Sequence, residues 1–401
     1  MFFSPVVFLA GKLKKFIVKS QFEEILITHF GAIGDTLMST PALRLLRKKY
    51  SNSKIHFLIS DRGAYDVLRR NRDIDNVIFF QQNKNGNIKN CFNNSRGLVF
   101  NKVKLFYLYP NFIIKILFSR IDTGISFGPF HEAGTFSNLL FSLAGFNNTI
   151  GYFGDYSELL TAKVDDDLLK KHWIDIYCSI VNELVDDVSE LKNKKMSYNL
   201  KIGEINILDK NLQNKGLREP YLICVVHPGG GQHDINSRLW GYEKFAAIAD
   251  FLHQKYNMTV FITGSKDELE LATLVSQKMI NPSFVVAGEY TFPMVASLLM
   301  KAKLCVTNDT SILHLADAMK TERIISLWGP TNSKKSGPRS HQNIFIQSEL
   351  ECSPCVYPIN VNDEIIRCDR LIKQECLKNI SVYEVIDKID NELTNIYYEN
   401  S

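Results

Sequence analysis

The chain has 401 residues, 45% of them hydrophobic and 22% charged, with a formal net charge of +4. That length and composition fit two globular domains or more, with cores large enough to hold without disulfides. The small positive balance, with no basic run interleaved with aromatics and no zinc-finger or RNA-recognition pattern, gives no footing for nucleic-acid binding.

The first ten residues read MFFSPVVFLA, and GKLKKFIVK follows with Lys12, Lys14, Lys15 and Lys19. The apolar run is too short to cross a bilayer. Its charges come after the apolar part, the reverse of an export signal. Two readings stand for this arm, residues 1–22: a segment packed on the body, or a basic amphipathic stretch lying on an anionic membrane face. With no export signal and no other stretch near a transmembrane span, the expected place is the cytoplasm. On the second reading it is peripheral, on the cytoplasmic face of the inner membrane.

Short β-branched runs then alternate with helical patterns, the mark of parallel sheets with crossover helices. In the first half the expected strands are EEILIT, KIHFLI, NVIFF, RGLVF and RIDTGIS; in the second they are YLICVVH, MTVFITG, SFVVAG, KLCVTND and RIISLWG. In WGYEKFAAIADFLHQKY, Phe245, Ile248, Ala249 and Leu252 recur at helical spacing. KDELELATLVSQKM, TFPMVASLLMKA and the last segment, SVYEVIDKIDNELTNIYY, behave alike. The asparagine-rich stretch 81–96 reads as an exposed loop. The polar segment Asp209 to Pro220 marks the domain boundary. The expected division is 1–22 arm, 23–215 first doubly wound domain, 216–375 second doubly wound domain, and 376–401 C-terminal helix.

Ligands of open α/β sheets bind beyond the carboxyl ends of the strands, so the strand-to-helix loops carry the chemistry. The first, Phe30 to Asp35, has neither the dinucleotide spacing nor the Lys-Ser/Thr of a phosphate loop. Asp35 would repel a diphosphate there. As a residue at a helix start it is either a cap or a general base toward a substrate hydroxyl. Pro41 leaves the helix start open: it begins near Thr40, or near Asp35 with a kink.

The second loop, HPGGGQHDINSR, places Gly229, Gly230 and Gly231 where backbone N–H groups can approach a phosphate, with Arg238 downstream as a bidentate partner. In the third, Asp309, Thr310 and Ser311 open a helix that carries His314, a ready anion site, with capping as the alternative reading. In the fourth, Glu268 follows Gly264 and reads either as a ribose ligand or as a first-turn acid.

In their order along the chain, GAIGDTLMSTPALRLL, HPGGGQHDINSRLWGYEKFAAIADFL, VTNDTSILHLADAM and SLWGPTNSKKSGP resemble the motifs of the lipopolysaccharide heptosyltransferases, glycosyltransferase family nine. The cysteine-bearing tail resembles a segment of many members. The matches run over about residues 25 to 390, with 80 to 215 unmatched. The resemblance implies the GT-B fold, two Rossmann-like domains with a cleft between them that closes about a hinge. It also implies inverting transfer from ADP-heptose or another nucleotide sugar to a lipid-linked glycan, with no cofactor and no metal. By motif, Asp35 is the base. Gly229, Gly230, Arg238, Glu268, Asp309, Thr310, Ser311 and His314 hold the donor. Ser311 replaces the usual glycine, and four extra residues separate the glycine loop from Arg238. Two rivals remain, a GT-B enzyme such as an epimerase acting on another nucleotide sugar, and an inactive nucleotide-binding member.

Eight cysteines divide into two groups. Cys91, Cys178, Cys224 and Cys305 are scattered and read as core thiols. Cys352, Cys355, Cys368 and Cys376 follow a C-x2-C-x12-C-x7-C spacing. Its first pair suits a metal knuckle and its second does not. Reduced thiols, a structural metal and a disulfide are all open, with reduced thiols expected in a reducing cytoplasm.

Overall fold

The computed structural model describes residues 22–80, 110–128, 131–152, 156–164, 170–184, 194–230, 238–340, 343–355, 368, 372 and 374–399. Residues 1–21 of the N-terminal arm, the expected strand RGLVF, the loop 81–96, Cys91 and Gly231 lie outside them, while Phe22, the last residue of the arm, is fully buried.

Ile25, Leu26 and Ile27 are fully buried in β1 (Glu24–Thr28). A strand apolar on successive residues needs cover on both faces, and that is supplied by helices. β1 is flanked by β2 (Lys54–Ile59) and β4 (Ile121–Ser126). With β3 (Asn76–Phe79), β5 (Asn148–Tyr152) and β6 (Ala162–Val164) they form a parallel sheet of order β3-β2-β1-β4-β5-β6. On one face Leu26 packs with residues of α3 (Pro110–Leu117) and α4 (His131–Ala144), among them Ile113, Phe136 and Leu140. Helices α1 (Ile33–Lys49) and α5 (Trp173–Asn182) pack on each other, while α2 (Arg62–Leu68) joins β2 to β3.

The second sheet repeats the pattern. β7 (Ile223–His227), β8 (Thr259–Ile262), β9 (Ser283–Val285), β10 (Leu304–Asn308), β11 (Arg323–Trp328) and β12 (Asn343–Gln347) are parallel, in the order β12-β11-β10-β7-β8-β9. Helices α6 (Ile202–Asn214), α7 (Tyr242–Tyr256), α8 (Leu269–Lys278), α9 (Phe292–Lys301), α10 (Ser311–Ala318) and α11 (Ser333–Ser336) connect and cover them. Two C-terminal helices follow, α12 (Glu375–Asn379) and α13 (Val382–Glu399). Val385, Ile389 and Leu393 of α13 join Phe245 and Ile248 of α7 in the core. The Trp240 indole N–H donates to the Ile380 carbonyl at 2.9 Å, pinning the start of α13.

The chain divides into two compact units, 1–194 and 195–401. The expected boundary at 215/216 and a separate C-terminal helix both differ from this. α6 buries Leu208 and Leu212, leaves Ile202 and Ile207 exposed, and packs on α9 of the second unit. α13 closes the core of that unit. In both sheets the strand order reverses once, between β1 and β4 and between β7 and β10. Those switch points are where doubly wound sheets open a crevice for ligand.

Candidate functional site

At the first switch point the chain leaves β1 through His29, Phe30 and Gly31 and enters α1 at Ile33. The helix therefore starts before Asp35 and runs through Pro41. Proline cannot give an N–H to the Leu37 carbonyl one turn back. The Thr40 hydroxyl donates to that carbonyl instead, at 2.7 Å. The Ala32 N–H donates to Asp35 Oδ2 at 3.0 Å, which leaves Oδ1 with no hydrogen bond among the described residues. A side chain at Gly31 would meet Asp35 Oδ2 at 2.9 Å and His29 Cε1 at 2.8 Å, so glycine is what lets the carboxylate fold back over the loop.

His29 is buried among Phe57, Phe127 and Tyr177. Neither ring nitrogen makes a hydrogen bond of ordinary geometry. Burial lowers its pKa to about 4 against the opposing pull of Asp35. Burial, with the Asp35 charge second, pushes the Tyr177 phenol well above its ordinary value. Asp35 thus lies against two neutral rings. Neither neighbour stands out in the sequence beyond being a histidine and a tyrosine in apolar runs.

His29 makes acid stability testable. The unfolded imidazole takes up a proton near 6.5 and the folded one near 4. Its contribution is therefore complete above the unfolded value and lost as pH falls toward the folded one. The size is on the order of 3 kcal/mol. His29→Phe, which fits the aromatic surround, is expected to lose less stability than the parent between about pH 7 and about pH 4.5. Urea unfolding at both pH values measures it; equal losses in the two proteins would refute it.

At the second switch point β7 ends in His227, Pro228, Gly229 and Gly230, all buried. The Asn308 amide, at the end of β10, donates to the carbonyls of Pro228 and Gly229, both at 3.0 Å, and so fixes the glycine loop. The next residue, Asp309, receives Arg238: Nη1 donates to the Asp309 carbonyl at 3.1 Å and to Oδ2 at 3.3 Å. Nε and Nη2 of Arg238 have no partner among the described residues. Thr310, extended at the helix start, lies 3.3 Å from the Thr307 hydroxyl. Ser311 is half-buried and His314 is buried in α10.

Glu268 ends a short turn before α8 and accepts the Ser265 N–H at 2.8 Å through Oε2. Its Oε1 comes so close to Gly229 that an added Cβ there would lie 2.0 Å away, and 3.0 Å from His227 Nε2. His227 has Nδ1 at 3.2 Å from the Thr263 hydroxyl, and burial lowers its pKa against the pull of Glu268. The structure therefore gathers Gly229, Gly230, Arg238, Glu268, Asp309 and Thr310 around one strand end, with Ser311 and His314 following in α10. Asp35 belongs to the other unit. Asn308 and His227, not expected as site residues, are the side chains that hold the loop together. Their signal in the sequence is faint, polar residues closing otherwise apolar strands.

Gly229→Ala is expected to force Glu268 aside and strip the Ser265 cap, costing about 1 kcal/mol and weakening ADP binding. Gly203→Ala in α6, where an added methyl meets nothing within 4 Å, is the control and should not destabilise. Melting curves and ADP titration of both variants decide it. An unaltered Gly229→Ala protein would count against the crowding.

Two doubly wound parallel sheets of matching strand order, each with a polar rim at its switch point, define the GT-B class. Residues 136–366 match the family model described as glycosyltransferase family 9 (heptosyltransferase). That is more than half of the chain, which belongs to this family and is a glycosyltransferase. Lipopolysaccharide heptosyltransferase 3 of Escherichia coli is 25% identical over 307 residues, 75% of this chain and 81% of that protein. Among solved structures, the family 9 glycosyl transferase of Veillonella parvula DSM 2008 has a TM-score of 0.72 at 20% identity. It covers 94% of this chain and 98% of that one. The E. coli ADP-heptose LPS heptosyltransferase II has a TM-score of 0.66 at 16% identity, with coverage of 93% and 99%. The two structures share the fold.

Proposed function

We propose that the protein transfers a heptose from ADP-heptose to a lipopolysaccharide core or related lipid-linked glycan, inverting the anomeric centre without a metal. The observation that carries this reading is the division of charge between the two switch points. A carboxylate with an open oxygen stands at one, while an arginine with open N–H groups stands beside a glycine loop and a helix start at the other. Membership of glycosyltransferase family 9 (heptosyltransferase) supports this choice of donor and acceptor class.

In the reaction the acceptor hydroxyl oxygen attacks the anomeric carbon. Its proton passes to Asp35 as the new bond forms. The bond from the anomeric carbon to the β-phosphate oxygen breaks, and ADP leaves with the electron pair. Charge grows on the diphosphate, where Arg238 and the N–H groups of Gly229, Gly230 and the start of α10 would stabilise it. These donors take the place that a metal ion holds in other transferases. Glu268 would accept from the ribose hydroxyls. Ser311 adds a hydroxyl beside the donor, and His314 lies one turn further along α10.

The work would be done at the cytoplasmic face of the inner membrane, where a lipid-linked acceptor is presented. Among the described residues no helix is long and apolar enough to cross a membrane. Full-length protein that stays off anionic vesicles at low salt would argue against peripheral attachment.

The test is calorimetric titration with ADP, ADP-heptose, UDP-sugars and GDP-sugars, followed by NMR of the product's anomeric configuration with and without chelator. ADP-heptose binding, acceptor-dependent ADP release and an inverted product insensitive to chelator are expected. Preference for a UDP- or GDP-sugar would overturn the heptose assignment. Turnover without acceptor would point to an epimerase, and no binding of any nucleotide to an inactive member.

A further inference from the structure

Helix α3 is apolar on two sides and buries only one. Ile113 and Ile116 enter the core beside Phe136 and Leu140. On the other side Ile114, Leu117 and Phe118 are 42%, 38% and 87% exposed. The Phe118 N–H still bonds the Ile114 carbonyl, at 3.1 Å, so Phe118 keeps the helical phase. Spacings of three and four residues then set the three side chains on one face. Ser119 fixes the end of the helix, with its N–H at 3.1 Å and its hydroxyl at 2.6 Å from the Ile116 carbonyl. Among the described residues the other exposed aliphatic pairs within one helix, Ile202 with Ile207 and Leu269 with Leu274, stand five apart and do not share a face.

The charge around this face has one sign. Lys115 and Arg120 are exposed and make no ion pair among the described residues. Between Asp75 and Asp122 the sequence has five lysines and two arginines and no acidic residue; with the whole chain at +4, the remainder is net −3. The same helix is tied to the rim that carries Asp35. Phe112 of α3 meets Phe80 at 5.2 Å between ring centroids, and Phe80 meets Phe30, the residue before Gly31, at 6.5 Å. Phe136 closes the group, 5.0 Å from Phe80 and 5.3 Å from Phe30.

We propose that this face of α3, Ile114, Leu117 and Phe118 with Lys115 and Arg120, docks on an anionic lipid surface. An apolar helix face ringed by cations is what such a surface binds: the side chains enter the acyl boundary while the cations stay with the headgroups. A second copy of the chain fits less well, because the same face on both partners would set like charges together. A nucleic acid would answer the charge but not Ile114 and Leu117. The docked helix would hold the first unit, and through the phenylalanine group its Asp35 rim, at the membrane. That consequence rests on the reading of the acceptor as lipid-linked; the docking itself does not.

The test uses the full-length chain and vesicles of phosphatidylglycerol, with phosphatidylcholine vesicles as the neutral control. The chain's own tryptophans, Trp173, Trp240 and Trp328, are buried, so an indole introduced by Phe118→Trp reports on the face alone. Its emission should move to the blue on phosphatidylglycerol and be quenched by bromine on the acyl chains. Ile280→Trp, on an exposed residue of the second unit, should show neither effect. Phe118→Ser should weaken vesicle binding about tenfold, and Lys115→Gln/Arg120→Gln about 30-fold at low salt, both with the parent's melting temperature and ADP affinity. Vesicle binding that leaves the Phe118→Trp emission unchanged would overturn the proposal, placing the contact elsewhere in the chain. So would no binding at all, a blue shift that grows with protein concentration in the absence of lipid, or an indole already shielded from acrylamide in lipid-free protein. Docking through α3 without acceptor-dependent ADP release would uphold this surface and sink the acceptor reading instead.

Discussion

Asp35→Asn is expected to lower kcat by about 10²- to 10⁴-fold while ADP-heptose affinity stays within about twofold. The choice of asparagine separates the two roles that Asp35 can have. As a cap, Asp35 accepts the Ala32 N–H through Oδ2. An asparagine carbonyl oxygen can accept that same bond, so the start of α1 should survive. The lost charge at the helix N-terminus costs only about 0.3–1 kcal/mol. As a base, Asp35 must hold the proton that leaves the acceptor hydroxyl, and an amide cannot. A near-normal melting temperature with a collapsed rate is therefore the signature of the base. A near-normal rate would leave Asp35 as a cap alone. Burial lowers the pKa of the His29 imidazole beside it to about 4, so that ring is too weak a base to take over the proton, and the Tyr177 phenol is a proton donor rather than an acceptor. Full activity of Asp35→Asn would therefore require a base from elsewhere in the chain.

Much of the architecture was legible in the sequence because buried parallel strands need continuous β-branched runs. EEILIT, KIHFLI, ICVVH and LCVTN are such runs, and each forms a strand. β5, β6 and β12 were not foreseen. Ala162–Val164 has only three residues, and NIFIQ and NTIGY mix polar and apolar residues. Their strand character comes from pairing with a neighbour already in place, which no local window contains. The start of α1 was ambiguous for a different reason. Pro41 reads as a first-turn residue, and only the Thr40 hydroxyl bond to Leu37 shows how the helix passes through it.

The candidate site was legible as a set of loops but not as a set of contacts. Arg238 and Asp309 are far apart in sequence. They meet because β10 lies beside β7, a fact of topology. The same holds for Glu268, Gly229 and His227, which become neighbours when β8 pairs with β7. The domain boundary was misplaced because α6 is followed by the more obvious polar breaker, Asn214 to Pro220. What assigns α6 to the second unit is its packing on α9.

Arg238→Ala is expected to reduce ADP and ADP-heptose affinity by about 10- to 150-fold, the loss of a charge-assisted hydrogen bond of about 1.5–3 kcal/mol. The same substitution removes the partner of Asp309, whose side chain is 7% exposed. Stranding a buried carboxylate destabilises in its own right, so weak binding by Arg238→Ala alone could reflect a disturbed loop. Arg238 itself is 26% exposed. Water reaches the pair, and the stability loss should fall in the range of about 1–3 kcal/mol, below that of a dry ion pair. The double variant Arg238→Ala/Asp309→Asn resolves the two effects. An asparagine needs no cation, so stability should recover toward the parent while nucleotide affinity stays low. Arg238→Lys should keep the charge and the fold but lose the planar fork, giving intermediate affinity. If affinity recovers together with stability in the double variant, Arg238 serves only to hold Asp309. The diphosphate must then be met by the glycine loop and the start of α10 alone.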